Sequence, residues 1–224
     1  MNPRSLCLAG VLGLGLTNTV LPEAAAQVVC IPSDTVALDP SIWNASRGVF
    51  FGHALGQTFF APETLISRLT VWRPPDNRSV VGAHLYITGV DTVWSPPRPD
   101  NDNLLLDGPT VRVYDSDPPG QLIEMSFTLD PPLALPRPGL YAFFLQAEAC
   151  HQGAVWNLIG NDTNPYPYGI YWISGRVTQP PCHLRGVAAG EDILDLIFRI
   201  EFCRPDVATP VRRSTWGQIK ALYR

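Results

Sequence analysis

The chain has 224 residues and a net charge of −4, and 46% of it is hydrophobic. That length suffices for one well-buried domain, and the mildly acidic balance offers no electrostatic footprint for nucleic acid and no polybasic patch for anionic lipid. The 23 prolines and 18 glycines cluster between apolar runs, which marks them as loop punctuation in a folded chain and not as disorder.

Residues 1–26 have the layout of a secretory signal peptide. Arg4 supplies the positive start, Leu6 to Leu21 the apolar run, and Ala24-Ala25-Ala26 a cleavage site before Gln27. The run is short and interrupted by Thr17, Asn18 and Thr19, so a membrane span is not expected, and the mature chain is expected in the periplasm, on the cell surface or outside the cell. Cys7 leaves with this segment. Cys30, Cys150, Cys182 and Cys203 remain, an even number suited to two disulfides in an oxidising compartment. Of three pairings, Cys30–Cys203 with Cys150–Cys182 is favoured, because the first would tie the opening strand to the last.

Strand signals then recur with turn residues between them. Gln27–Ile31 is a short first strand, Gly56–Ala61 a second and Ser67–Trp72 a third. In Gly82–Thr88, Ala83, Leu85 and Ile87 share one face, with His84 and Tyr86 on the other, an alternation that buries one face and wets the other. Gly89 to Pro109, with Pro96-Pro97, Pro99 and Asp100-Asn-Asp-Asn103, reads as a long loop, and loops of this length are often functional. Strands resume at Thr110–Tyr114, with Val111 and Val113 inward, and continue at Leu122–Leu129 and Leu140–Ala147. The latter is apolar on both faces and therefore central. Val155–Ile159, Gly169–Ser174 and Asp195–Phe202 complete about ten strands. The fold predicted is all-β, an antiparallel β-sandwich over residues 27–204. Residues 205–224 form a proline linker and a short amphipathic helix, capped by Ser214, with Trp216, Ile219, Leu222 and Tyr223 on one face.

Several stretches resemble a family of bacterial secreted jelly-roll domains, loosely galactose-binding-like. They are Gly56-Gln-Thr-Phe-Phe-Ala-Pro62, Ile66–Val71, Val111–Tyr114, Pro138-Gly-Leu-Tyr-Ala-Phe143, Asn164–Trp172 and Asp195–Arg199. The likeness spans roughly residues 50 to 202 and implies a jelly-roll-like sandwich. It brings no catalytic motif to transfer. The four cysteines and the long Pro/Asp/Asn segment depart from the family pattern.

Four groups of residues are candidates for function. Trp156, Tyr166, Tyr168, Tyr171 and Trp172 lie close in sequence with Asn157, Asn161 and Asp162 among them. Sugars are held by flat aromatic faces and amide or carboxylate groups, although core packing uses the same aromatics. In a strand, Ile170 and Trp172 share a face and Tyr171 takes the other. Asp91, Asp100, Asp102 and Asp107 offer oxygen ligands at a spacing that suits a structural Ca²⁺. Cys150-His151 and Cys182-His183, with Cys203, could instead make zinc ligands, but adjacent residues of an extended chain point opposite ways. In the tail, Arg212, Arg213, Trp216, Ile219 and Tyr223 suit a partner, a sorting machine or an envelope surface.

Enzyme signatures are weak. Neither a G-x-S-x-G elbow nor an H-E-x-x-H motif occurs, and Glu191, Asp192 and Asp195 offer only an unplaced pair of carboxylates. The expectation is a secreted, non-catalytic binding module for a glycan or cell-envelope surface. Its ligand would meet the Tyr166–Trp172 region or the Asp91–Asp107 segment. The alternatives are a structural or adhesive surface protein assembled or sorted through its tail and, third, a hydrolase.

Overall fold

The computed structural model describes residues 30–50, 52–74, 81–113, 121–150, 156–177, 179–191 and 193–206. The segment 1–26 and the tail residues Arg212, Arg213, Trp216, Ile219 and Tyr223, with the helix expected there, lie outside the described residues.

The strands are β1 (Cys30–Ala37), β2 (Ala45–Val49), β3 (Ala54–Ala61), β4 (Leu65–Arg73), β5 (Val81–Asp91), β6 (Arg98–Val113), β7 (Ile123–Ala134), β8 (Gly139–Ala147), β9 (Trp156–Asn161), β10 (Tyr171–Ser174), β11 (Val187–Glu191), β12 (Asp195–Leu196) and β13 (Phe198–Pro205). One 3₁₀ turn, Pro40–Ile42, starts at Asp39, whose side chain accepts from the Ser41 amide. All strand pairs are antiparallel. They form a four-stranded sheet (β1-β13-β4-β7), a six-stranded sheet (β11-β10-β3-β8-β5-β6) and a three-stranded sheet (β12-β9-β2). The result is the expected β-sandwich.

Period-two alternation builds the core. Phe198, Ile200 and Phe202 of β13, Leu69 and Val71 of β4, and Met125 and Phe127 of β7 point inward from the four-stranded sheet and are almost fully buried. They meet Leu55 and Phe59 of β3, Phe143 and Leu145 of β8, and Leu85 and Ile87 of β5. Trp156, Leu158 and Leu196 of the three-stranded sheet join the same core. β8 lies between β3 and β5 and is buried from Tyr141 to Ala147, as its two-sided apolar sequence requires.

The outer faces of the two large sheets differ. That of the four-stranded sheet is charged. Arg199 lies 5.4 Å from the Trp72 ring centre and pairs with Glu124 at 3.7 Å and Glu201 at 3.4 Å. The outer face of the six-stranded sheet carries an apolar patch. Ala54, Tyr86, Ala142, Phe144 and Trp172 form a second buried cluster there, with Val90, Ile170 and Leu184 against it. The alternation in β5 therefore does not wet Tyr86, which is buried.

A strap between β10 and β11, described at residues 175–177 and 179–186, lies over this second cluster with Leu184 packed against it. Its amide at Val177 donates to the Gly52 carbonyl at 2.9 Å. Gly52 has φ +75°, and a Cβ there would stand 1.9 Å from the Val177 carbonyl oxygen, so only glycine fits. Cys182 is bonded to Cys150, Cα atoms 5.8 Å apart, and the Asn101 side chain donates to the Arg185 carbonyl. The second disulfide joins Cys30 to Cys203, Cα atoms 5.4 Å apart, across the β1–β13 pair. Both pairings are those favoured from topology. With these sulfurs bonded to each other, no thiolates remain at Cys150, Cys182 or Cys203 for zinc.

The expected loop from Gly89 to Pro109 is mostly strand. β5 runs on to Asp91 and β6 begins at Arg98, so only residues 92–97 turn. The β6 strand occupies the sheet edge, where a proline's missing N–H costs no ladder bond if it faces outward. The ladder goes from Thr88↔Leu104 to Gly89↔Asp100, so Asn101, Asp102 and Asn103 are extra residues bulged from β6. Two strands were not foreseen, β2 and β11. The expected strand Asp195–Phe202 is split, and its first two residues pair with β9 instead.

Candidate binding cleft

The bulge and the β5–β6 turn together make a cleft. It holds about 260 Å³ and is lined by Asp91, Trp94, Arg98, Pro99, Asp100, Asn101, Asp102 and Gly186. Each part follows from the strand geometry. Asp91 and Arg98 are cross-strand partners at the hairpin end. Asp91 Oδ1 accepts the Val93 amide at 2.9 Å, and Asp100 Oδ1 accepts the Asp102 amide at 3.2 Å, so both carboxylates brace the turns that follow them. Asn101 is fixed through its amide nitrogen to the strap, while its Oδ1 is buried without a hydrogen-bond partner. Trp94 stands at the hairpin tip and is 59% exposed.

Of the four aspartates considered as calcium ligands, three, Asp91, Asp100 and Asp102, line this cleft. Asp107 lies farther along β6, and its Oδ1 accepts from His84 Nε2 at 2.7 Å. Among the described residues no three carboxylate, histidine or cysteine side chains converge closely enough to hold a metal ion.

The five aromatics are separated by the fold. Trp156, Tyr166 and Tyr171 belong to the main core, and Trp172 lies under the strap. Tyr168 is 59% exposed. A single buried carboxylate organises this region. Asp195 accepts from Gln57 Nε2 at 2.6 Å and from the Tyr166 amide at 2.7 Å, and Gln57 Oε1 accepts the Leu196 amide at 3.0 Å. Burial raises the Asp195 pKa, partly countered by those two hydrogen bonds. Burial also raises that of Tyr166, whose hydroxyl accepts the Phe60 amide at 3.0 Å. Asp195 is thus a pin between the three- and six-stranded sheets. The Asp192 residue and the side chain of Glu191 lie outside the description. Held this way, the 166–168 turn aims Tyr168 outward against Phe60, ring centres 5.6 Å apart.

One further constellation has catalytic distances. His84 Nδ1 is 2.8 Å from Thr110 Oγ1, and its Nε2 is the atom facing Asp107. Tyr86 packs against this imidazole at 4.6 Å, and its pKa is pushed up to about 12 by burial and by the nearby Asp107 charge. The trio sits on the open β5–β6 pair, and none of its members lines the cleft. Its contacts serve as cross-strand pairing of polar side chains.

Sequence reasoning missed Trp94, Arg98 and Phe60. The first had a signal, a Val93-Trp94 pair inside turn chemistry between Asp91 and Pro96-Pro97, where a folded chain has little core to fill. Phe60 had none, since Phe59-Phe60 alternates faces and only the three-dimensional cover decides which ring is wet.

No family model and no curated protein matches this chain. Among solved structures it is similar to a chain of the infectious bursal disease virus Gt strain, at 14% sequence identity and a TM-score of 0.21. That alignment covers 100% of this chain, which spans 57% of the viral chain. A likeness this low carries no argument about either fold or function.

Proposed function

We propose that this protein is a non-catalytic carbohydrate-binding module that works outside the cytoplasm, with its ligand in the cleft at the β5–β6 tip. The observation that carries the reading is the exposed Trp94 ring beside Asp91, Arg98, Asp100, Asn101 and Asp102 in one open cleft. A sugar ring has an apolar C–H side, which lies on an indole face, and an equatorial rim of hydroxyls, which donate to carboxylates and accept from guanidinium. Two disulfides support an oxidising compartment.

The test is retention of the purified, disulfide-intact protein on insoluble polysaccharides and cell-wall fractions, with a glycan array alongside. The expected result is saturable retention on a neutral polysaccharide that weakens about tenfold or more in Trp94→Ala, a residue of the turn whose loss leaves the core intact. Retention unchanged in that variant, or no retention on any saccharide, overturns the reading.

A further inference from the structure

The outer face of the six-stranded sheet carries exposed aromatic surface at two places along one end. Phe60, 42% exposed, and Tyr168 make one, and Trp94 makes the other. Strand register puts Phe60 level with the cleft wall. Phe60 of β3 is opposite Leu140 of β8. Ala142 of β8 is opposite Thr88 of β5, so two residues further Leu140 stands level with Val90. Val90 is the partner of Pro99 of β6, which lines the cleft. Phe60, Leu140 and Val90 have outer-face parity, because Phe59 and Tyr141, their neighbours on β3 and β8, face the main core, and Val90 packs against the outer cluster. Leu140 and Val90 are half-buried and form an apolar floor between the two ends. The strap packs Leu184 on the neighbouring part of the face and sends Gly186 into the cleft wall.

From β3 to β6 there are three strand spacings, roughly 14 Å. That exceeds the width of one pyranose ring. The cleft alone, about 260 Å³, is below the roughly 300–1,000 Å³ of sites that engulf a ligand. It suits one stretch of a longer molecule passing through.

We infer that the ligand is an extended neutral glycan chain, bound across the sheet end with one part on Trp94 in the cleft and another on the Phe60–Tyr168 pair. This rests on the carbohydrate reading above and specifies its ligand. Neutrality follows from the lining. Three aspartates face one arginine in the cleft, on a chain of net charge −4, which repels a polyanionic saccharide. An extended shape follows from the spacing of the two aromatic stations, with only a flat apolar floor between them. Binding two stations through one chain makes the second contact intramolecular, so affinity grows with chain length until both are reached.

The experiment is calorimetric titration with gluco-, manno- and xylo-oligosaccharides from monosaccharide to hexasaccharide, on the wild type, Trp94→Ala, Phe60→Ala and Tyr168→Ala, each checked for wild-type circular dichroism. The result expected is affinity that rises with length and then levels off in one of these series. Phe60→Ala and Tyr168→Ala weaken the hexasaccharide about tenfold and leave the disaccharide unchanged, whereas Trp94→Ala weakens every length. A monosaccharide that binds as tightly as the hexasaccharide, or a hexasaccharide indifferent to Phe60→Ala and Tyr168→Ala, overturns the extended-chain inference while leaving the cleft as a carbohydrate site. Loss of all saccharide binding in the wild type overturns both.

Discussion

Asp195 shows how one residue both holds the fold and supports the binding face. Its carboxylate ties β12 to Gln57 of β3 and orders the turn that leads to Tyr168. Folding raises its pKa through burial, so the native state holds that proton more tightly than the unfolded chain, whose value is about 3.9. The sign follows from linkage: this group's contribution to stability is largest in acid and falls as pH rises from about 4 through the raised native value, then stays level. In Asp195→Asn that slope disappears, because nothing titrates there. The same variant loses an acceptor for one of two buried donors and is destabilised by about 1–3 kcal/mol. Denaturant midpoints of wild type and variant across the acid range check both statements; parallel curves would show that Asp195 does not carry the slope. Gly56 is a second position of this kind. A Cβ there would stand 2.4 Å from both the Phe143 carbonyl oxygen and the Phe144 ring. Gly56→Ala should therefore cost about 1–3 kcal/mol, mainly by lifting Phe144 from its seat on the sheet, and urea unfolding measures it.

At the scale of elements, strands that carry the core were legible and those that frame the site were not. In β8 and in the first half of β5 the apolar pattern is set by burial against two or one layers, and alternation reports burial directly. The β6 strand is an edge strand whose residues Asp100 to Asn103 bulge from the ladder. Proline, aspartate and asparagine are tolerated there for the same reasons that make them turn formers elsewhere, so local chemistry points to a loop. The β11 strand has only five residues, Val-Ala-Ala-Gly-Glu, too small to show a pattern, and Gly190 is fitted to the Trp172 ring, which a Cβ would meet at 2.6 Å. The aromatic stretch Tyr166–Trp172 was visible as a group, but its division between core, strap and solvent depends on a cover, the strap, that no periodicity announces. The disulfide that anchors this strap closes a sequence separation of 32. Replacing Cys150 and Cys182 by serine should remove about 3–4 kcal/mol by chain entropy. It should also loosen the lid over Tyr86, Phe144 and Trp172 while the main core stays folded. Binding of a hydrophobic dye at temperatures below global unfolding reads this local opening. A variant that binds no more dye than wild type would mean that the Gly52–Val177 and Asn101–Arg185 hydrogen bonds hold the strap alone.

Across the whole molecule, the topology is non-local. The first described strand pairs with the last, β13 lies between β1 and β4, and the six-stranded sheet draws on strands from both halves of the chain. Such a fold closes large loops before it gains their contacts, and so folds slowly. The Cys30–Cys203 bond acts on this problem directly, since it spans 173 residues. The bond has little local packing to protect. Most of β1 is exposed, and the strand is held by its ladder to β13. The two disulfides are thereby expected to fail differently. By loop length alone, Cys30–Cys203 should contribute about 1.5 kcal/mol more than Cys150–Cys182. Replacing Cys30 and Cys203 by serine should lower the global denaturant midpoint further and leave dye binding by the native state unchanged, because the outer cluster remains strapped. The pair of double variants, compared by urea unfolding and dye binding under one set of conditions, separates the two roles. If the strap variant proves the less stable of the two, burial of Tyr86, Phe144 and Trp172 outweighs loop entropy. The second cluster would then be a full part of the cooperative core, and the binding face would owe its rigidity to the same packing.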